Sequence, residues 1–158
     1  IPFRKENGQI FAYQGRSFGD EKQKYITIIL DTEYPKIFGM DRVDPTRNIY
    51  VTEGPFDSLF LDNSIAVAQS DLRVPQFKDK AVLVPDNEPR NPEICKQIER
   101  CIDEGYKVCL WPNTIKEKDI NDMILSGMLP AEVLGIIHSN SHSGLKAKTV
   151  FNSWKRTY

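Results

Sequence analysis

The sequence is short of several things, and each shortage removes a class. No run approaches the roughly 18 apolar residues of a membrane-spanning helix. No signal-like segment opens the chain either, so a cytoplasmic protein with no membrane partner is expected. Cysteine occurs only at Cys95, Cys101 and Cys109, an odd set without a Cys-x-x-Cys pair. That argues against a zinc module and for three reduced, buried thiols. Histidine occurs only at His138 and His142, four apart. Ser139, Asn140 and Ser141 between them favour a loop, so no histidine metal site is expected. Positive charge is not in excess: 21 Lys and Arg stand against 22 Asp and Glu, a net charge of −1. No overall basic field announces a nucleic-acid binder, although a local groove stays open. The first residue is Ile1 rather than Met, and strand-like sequence follows at once, which reads as a piece of a larger protein.

The 158 residues, 40% hydrophobic and 10% aromatic, are enough for one domain with a substantial core, or one domain and a small appendage. The chain is organised around Asn48–Asp57. Ile49, Tyr50, Val51 and Thr52 are β-branched or aromatic and read as a short buried strand. Glu53 stands at its end. Gly54 permits a tight turn, Pro55 suits the first position of a helix, and Asp57 falls in the first helical turn. Ala81-Val82-Leu83-Val84 is a second apolar run, followed by Asp86 and Glu88. Residues two apart in an extended segment point the same way, so these two carboxylates can converge on one cation. Val108–Trp111 is a third such run, and Lys118, Asp119 and Asp122 follow it. Open α/β sheets place their ligands at the carboxyl ends of parallel strands, where these acids fall.

The remaining elements read as follows. Residues 1 to 30 form a β-rich segment, with a hairpin at Asn7-Gly8 and a third strand from Lys24 to Leu30. Tyr34 to Val43 is irregular or a short helix. From Asn48 short apolar strands alternate with helices, which implies a parallel sheet. Asn91 caps the clearest helix, Pro92 opens it, Ile94, Ile98 and Ile102 line one face, and Gly105 ends it. A helix from Asp119 stops at Gly127, and another runs from Pro130 through Ile137. The tail, with Leu145, Val150, Phe151 and Trp154, reads as an amphipathic helix docking on the sheet.

Glu-Gly-x-x-Asp at residues 53 to 57, Asp-x-Glu at 86 to 88 and Lys-Asp at 118 to 119 together resemble a Toprim domain. Arg4-Lys5, Gly15-Arg16 and Lys24-Tyr25 ahead of them are similar to the segment preceding Toprim in bacterial-type DNA primases, in the style of those of tailed bacteriophages. The resemblance covers the chain to about Gly127. It implies an α/β Toprim fold, a mostly parallel four-stranded sheet flanked by helices behind a small β-rich subdomain. It divides the chain into residues 1–47, a Toprim domain at 48–127 and a helical segment at 128–158. It implies a nucleotidyltransferase that makes short RNA primers from ribonucleoside triphosphates on a single-stranded DNA template. A replicative helicase would join through parts outside this chain. Two Mg²⁺ or Mn²⁺ ions are expected on Glu53, Asp57, Asp86, Glu88 and Asp119, with Glu53, Asp86 and Glu88 catalytic. Arg16, Lys24, Arg73 and Lys118 would meet phosphates. Many relatives carry Asp where this chain has Glu88, which bears on the metal position and on which ion is preferred.

Other readings of the same residues stay open. A Toprim nuclease would cut phosphodiesters with the same acids, and a degenerate module would only bind. Asp119 and Asp122 also fit the N-cap and third position of a helix without any metal. Arg73 lies in a polar loop, where it faces either the acids or solvent.

Overall fold

Gly8 sits in the left-handed region (φ +82) and closes the first turn, its N–H donating to the Lys5 carbonyl at 2.9 Å. Only a residue without Cβ takes that conformation at little cost, so Asn7-Gly8 joins two antiparallel strands. These are β1 (Pro2–Arg4) and β2 (Ile10–Arg16), and β3 (Tyr25–Ile29) adds to the other side of β2. Phe3, Phe11 and Ala12 bury a small core beneath this sheet. The computed structural model describes residues 1–17, 19, 25–68 and 71–156.

A second sheet has five strands: β4 (Ile49–Thr52), β5 (Ser64–Ala66), β6 (Ala81–Val84), β7 (Lys107–Cys109) and β8 (Ser141–His142). Their order is β5-β4-β6-β7-β8. The first four are parallel, as the alternating pattern implies, while β8 pairs antiparallel with β7 at the edge. The expected four-stranded sheet thus gains a strand two residues long, too short to leave a periodic signal. Phe38 bridges to Ala66 and ties the irregular stretch after β3 to the β5 edge.

Both faces of the sheet are covered, because successive residues of each strand point to opposite sides. Ile49, Val51, Leu83 and Val108 face one core with α2 (Pro92–Asp103) and α5 (Gly144–Trp154). Tyr50, Val82, Val84 and Cys109 face the other with α3 (Ile120–Leu125) and α4 (Pro130–Asn140). A five-residue helix, α1 (Pro55–Leu59), follows β4. The Asn91 side chain caps α2 by accepting the Glu93 and Ile94 N–H groups, and Gly105 (φ +85) ends it. In two places the pattern misleads. His138, Ser139 and Asn140 are helical, not a loop, because α4 continues until β8 begins. Leu145 is 81% exposed, and the buried face of α5 is Ala147, Phe151 and Trp154. All three cysteines are buried and free of disulfides. Among the described residues no helix is long and apolar enough to cross a membrane.

Candidate active site

The site is built where β4 and β6 end. Thr52 pairs in register with Val84, so the residues that follow each strand emerge level with one another. Glu53 turns toward the loop after β6 and accepts the Asp86 N–H on Oε1 at 3.1 Å. Gly54 then passes close under Asp57: a Cβ built on it would lie 2.7 Å from Asp57 Oδ2. Pro55 starts α1, and Asp57 in its first turn is 9% exposed. Asp57 Oδ1 accepts the Asn121 N–H at 2.9 Å, which ties α1 to the start of α3. The third strand end is bound in by Asn87. Its N–H donates to the Lys118 carbonyl at 2.6 Å, and its side-chain amide donates to the Ile115 and Glu117 carbonyls. The indole of Trp111, just past β7, donates to the Pro85 carbonyl at 2.7 Å. Lys118 is thereby held with its Nζ 3.1 Å from Asp86 Oδ2.

Electrostatically this is a crowded place. Burial is the first cause that pushes Glu53 up to about 7, and the Asp86 and Glu88 charges push the same way. Asp57 rises to about 6, mainly through burial, with Asp119 and Asp86 adding repulsion. Asp86 is raised by burial against the opposing pull of Lys118. Like charges this close are unfavourable without a cation or a proton among them. Lys118 supplies one positive charge, and Lys118 itself is raised by Asp86, Glu88 and Asp119 despite partial burial. The donors are all carboxylate oxygens, partly desolvated and short of positive charge, which fits a hard divalent cation such as Mg²⁺ or Mn²⁺. Among the described residues no three acids stand as a finished ligand set, since Asp86 leans to Lys118 and Asp57 to Asn121.

No family model matches the chain. Over 153 residues it is 43% identical to a DNA primase of Enterobacteria phage T4. That alignment takes in 94% of this chain and 44% of the relative, so the chain spans less than half of that protein's length. Among solved structures, the Escherichia coli primase catalytic core superposes with a TM-score of 0.67 at 14% identity, covering 97% of this chain and 54% of that one. A DnaG primase catalytic domain bound to single-stranded DNA gives the same figures. Over nearly all its length the chain is similar to a phage DNA primase, and it shares the fold of the primase catalytic cores. The Toprim order of acids is thus set on the sheet that the primase cores share.

The candidate residues do not all gather there. Glu53, Asp57, Asp86, Glu88 and Asp119 act on one another electrostatically around the ends of β4 and β6. Asp119 also caps α3, accepting the Asp122 N–H on Oδ1 at 2.8 Å. Arg16, at the end of β2, lies over the Phe56 ring at 5.2 Å, which brings it to the side of α1. Lys24 lies outside the described residues. Arg73 is the correction. It pairs with Asp71 and with Glu104 at the C-terminal end of α2, which returns to the amino ends of the parallel strands. A guanidinium held there by two carboxylates does not face the acid cluster. Sequence reasoning missed Asn87 and Asn121. Asn87 stands between two acids that carry the more obvious chemistry, and Asn121 acts through its backbone, which no side-chain pattern reveals.

Proposed function

We propose that the chain is the catalytic core of a DNA primase that joins ribonucleotides on a single-stranded DNA template. The observation that supports it is the gathering of Glu53, Asp57, Asp86 and Asp119 at the strand ends of a chain nearly all of which matches a primase. In this reading Glu53, Asp86 and Glu88 hold divalent cations, Mg²⁺ or Mn²⁺ and two in number, with Asp57 and Asp119 beside them. Such ions, when bound, stabilise the charge on the attacking and leaving oxygens of a phosphoryl transfer. The 3′-hydroxyl of one ribonucleotide forms a bond to the α-phosphorus of the next, the bond to the bridging oxygen breaks, and pyrophosphate leaves.

The chain's own residues do the positioning. Glu53 is placed to ligate a cation or to take the hydroxyl proton. Lys118 carries the positive charge nearest the cluster and meets a phosphate oxygen once Asp86 turns away. Arg16 offers a second guanidinium contact from the other subdomain, where it already lies over Phe56. Asn87 fixes the 115–118 segment, and with it the Lys118 side chain. The net charge of −1 gives little overall grip on a template, so binding by this chain alone should be weak and salt-sensitive.

The test is to incubate the intact protein and its Glu53→Gln variant with labelled single-stranded DNA, with and without ribonucleoside triphosphates. Short RNA products that need Glu53 are expected. Strand cleavage that needs Glu53 but no nucleotide would replace this reading with a nuclease.

A further inference from the structure

The ends of β6 and β7 also open onto a cleft of about 430 Å³ beside the acid cluster. Its walls come from residues 87–91 after β6, from residues 111–116 after β7, and from Trp154 and Arg156 at the end of α5. Three cationic side chains line it: Arg90, Lys116 and Arg156. Among the described residues none of the three forms a side-chain ion pair with a carboxylate, although the Lys116 backbone N–H donates to Glu117 Oε2 at 3.1 Å. Lys116 Nζ donates to the Asn113 carbonyl, and Arg156 Nη2 donates to Asn113 Oδ1 at 2.7 Å. The exposed Arg90 side chain has no partner among the described residues. Asn91 lines the same wall and caps α2, so the amino end of a twelve-residue helix adds partial positive charge. Trp154, only 6% exposed, brings an indole N–H that meets no acceptor among the described residues. Glu88 is the one acid of the lining, on the side of the cluster.

In a chain of net charge −1, three cations against one acid around one cleft ask for an anion. An extended nucleic-acid strand would be met by a stripe of charge along its path. These cations instead surround a volume that suits one small molecule. Guanidinium groups engage phosphate oxygens two at a time, and an ammonium adds a point charge. We propose that this cleft binds a compact polyphosphate, either the tail of a nucleoside triphosphate or released pyrophosphate, beside the carboxylates rather than among them. The source of the ligand rests on the primase reading; the capture of a polyphosphate does not.

The experiment is calorimetric titration of the chain with pyrophosphate, ATP and a short single-stranded oligonucleotide, in EDTA so that no divalent cation takes part. Wild type, Arg90→Ala, Arg156→Ala and Asp86→Asn are compared, with melting temperatures as a fold check. Binding of pyrophosphate or ATP is expected, weakened about tenfold by each arginine substitution. It should be unchanged or tighter in Asp86→Asn. ATP alone binding assigns the cleft to a substrate tail, and pyrophosphate alone assigns it to the product; both support the cleft. Because Arg90 is exposed, its variant keeps the test valid if Arg156→Ala misfolds. No polyphosphate binding, binding indifferent to Arg90, or loss of oligonucleotide binding only, would overturn the proposal. None of these results alters what Glu53→Gln does to RNA synthesis, so the two readings fail separately.

Discussion

Glu53 shows how one side chain is set by its surroundings. Its carboxyl is pushed to about 7 by burial first, then by Asp86 and Glu88, while the Asp86 N–H and Lys118 pull the other way. A raised acid holds its proton in the folded state after the unfolded chain has released it, between about pH 4.5 and 7. Stability attributable to Glu53 is therefore present in acid and lost as the pH rises through that window. The loss is at most about 3.5 kcal/mol at roughly 1.4 kcal/mol per unit. Glu53→Gln removes this contribution. The melting temperature of wild type, minus that of Glu53→Gln, should fall from pH 5 to pH 8; a difference that stays flat would contradict burial as the cause. Gly54 makes a second point at the same scale. Its Cβ would meet Asp57 Oδ2 at 2.7 Å, so Gly54→Ala should turn Asp57 from the Asn121 N–H. A loss of about 1 kcal/mol in denaturant unfolding is expected, the worth of one hydrogen bond.

At the scale of the element, local rules set the boundaries and partners at a distance set the rest. The Asn91 cap, Pro92 at the start and Gly105 at the end of α2 are contacts within a turn of the chain, and all three stand in the sequence. The run Ala81–Val84 is likewise a strand from end to end. Around His138 the sequence points to a loop, because Ser139, Asn140 and Ser141 are poor helix formers. In the structure these three donate their side-chain groups back to carbonyls four residues earlier, which carries α4 on to β8. Asp119 unites both kinds of information. It caps α3 through the Asp122 N–H and adds charge to the cluster around Asp57 and Asp86. Asn accepts the same hydrogen bond, so Asp119→Asn should keep the melting temperature, whereas Asp119→Ala should cost about 1 kcal/mol. If both unfold alike, the cap does not contribute.

For the whole molecule, the sequence shows which acids end strands but not which strands touch. The order β5-β4-β6-β7-β8 puts β4 beside β6 although β5 lies between them in the chain, and that is what sets Glu53 against Asp86. Lys118 reaches Asp86 and Arg73 reaches Glu104 across some thirty residues each, and nothing in either segment names its partner. Arg73, expected near the acids, is therefore held at the other end of the sheet. The chemistry proposed for the site requires the acids at the ends of β4 and β6 to act as one cation site. Titration of Mn²⁺ followed by calorimetry, on wild type, Glu53→Gln and Asp86→Asn, measures this directly. Binding by wild type and a clear weakening in both variants are predicted, with Mn²⁺ raising the melting temperature of wild type alone. Equal binding by all three proteins would contradict a shared cation site.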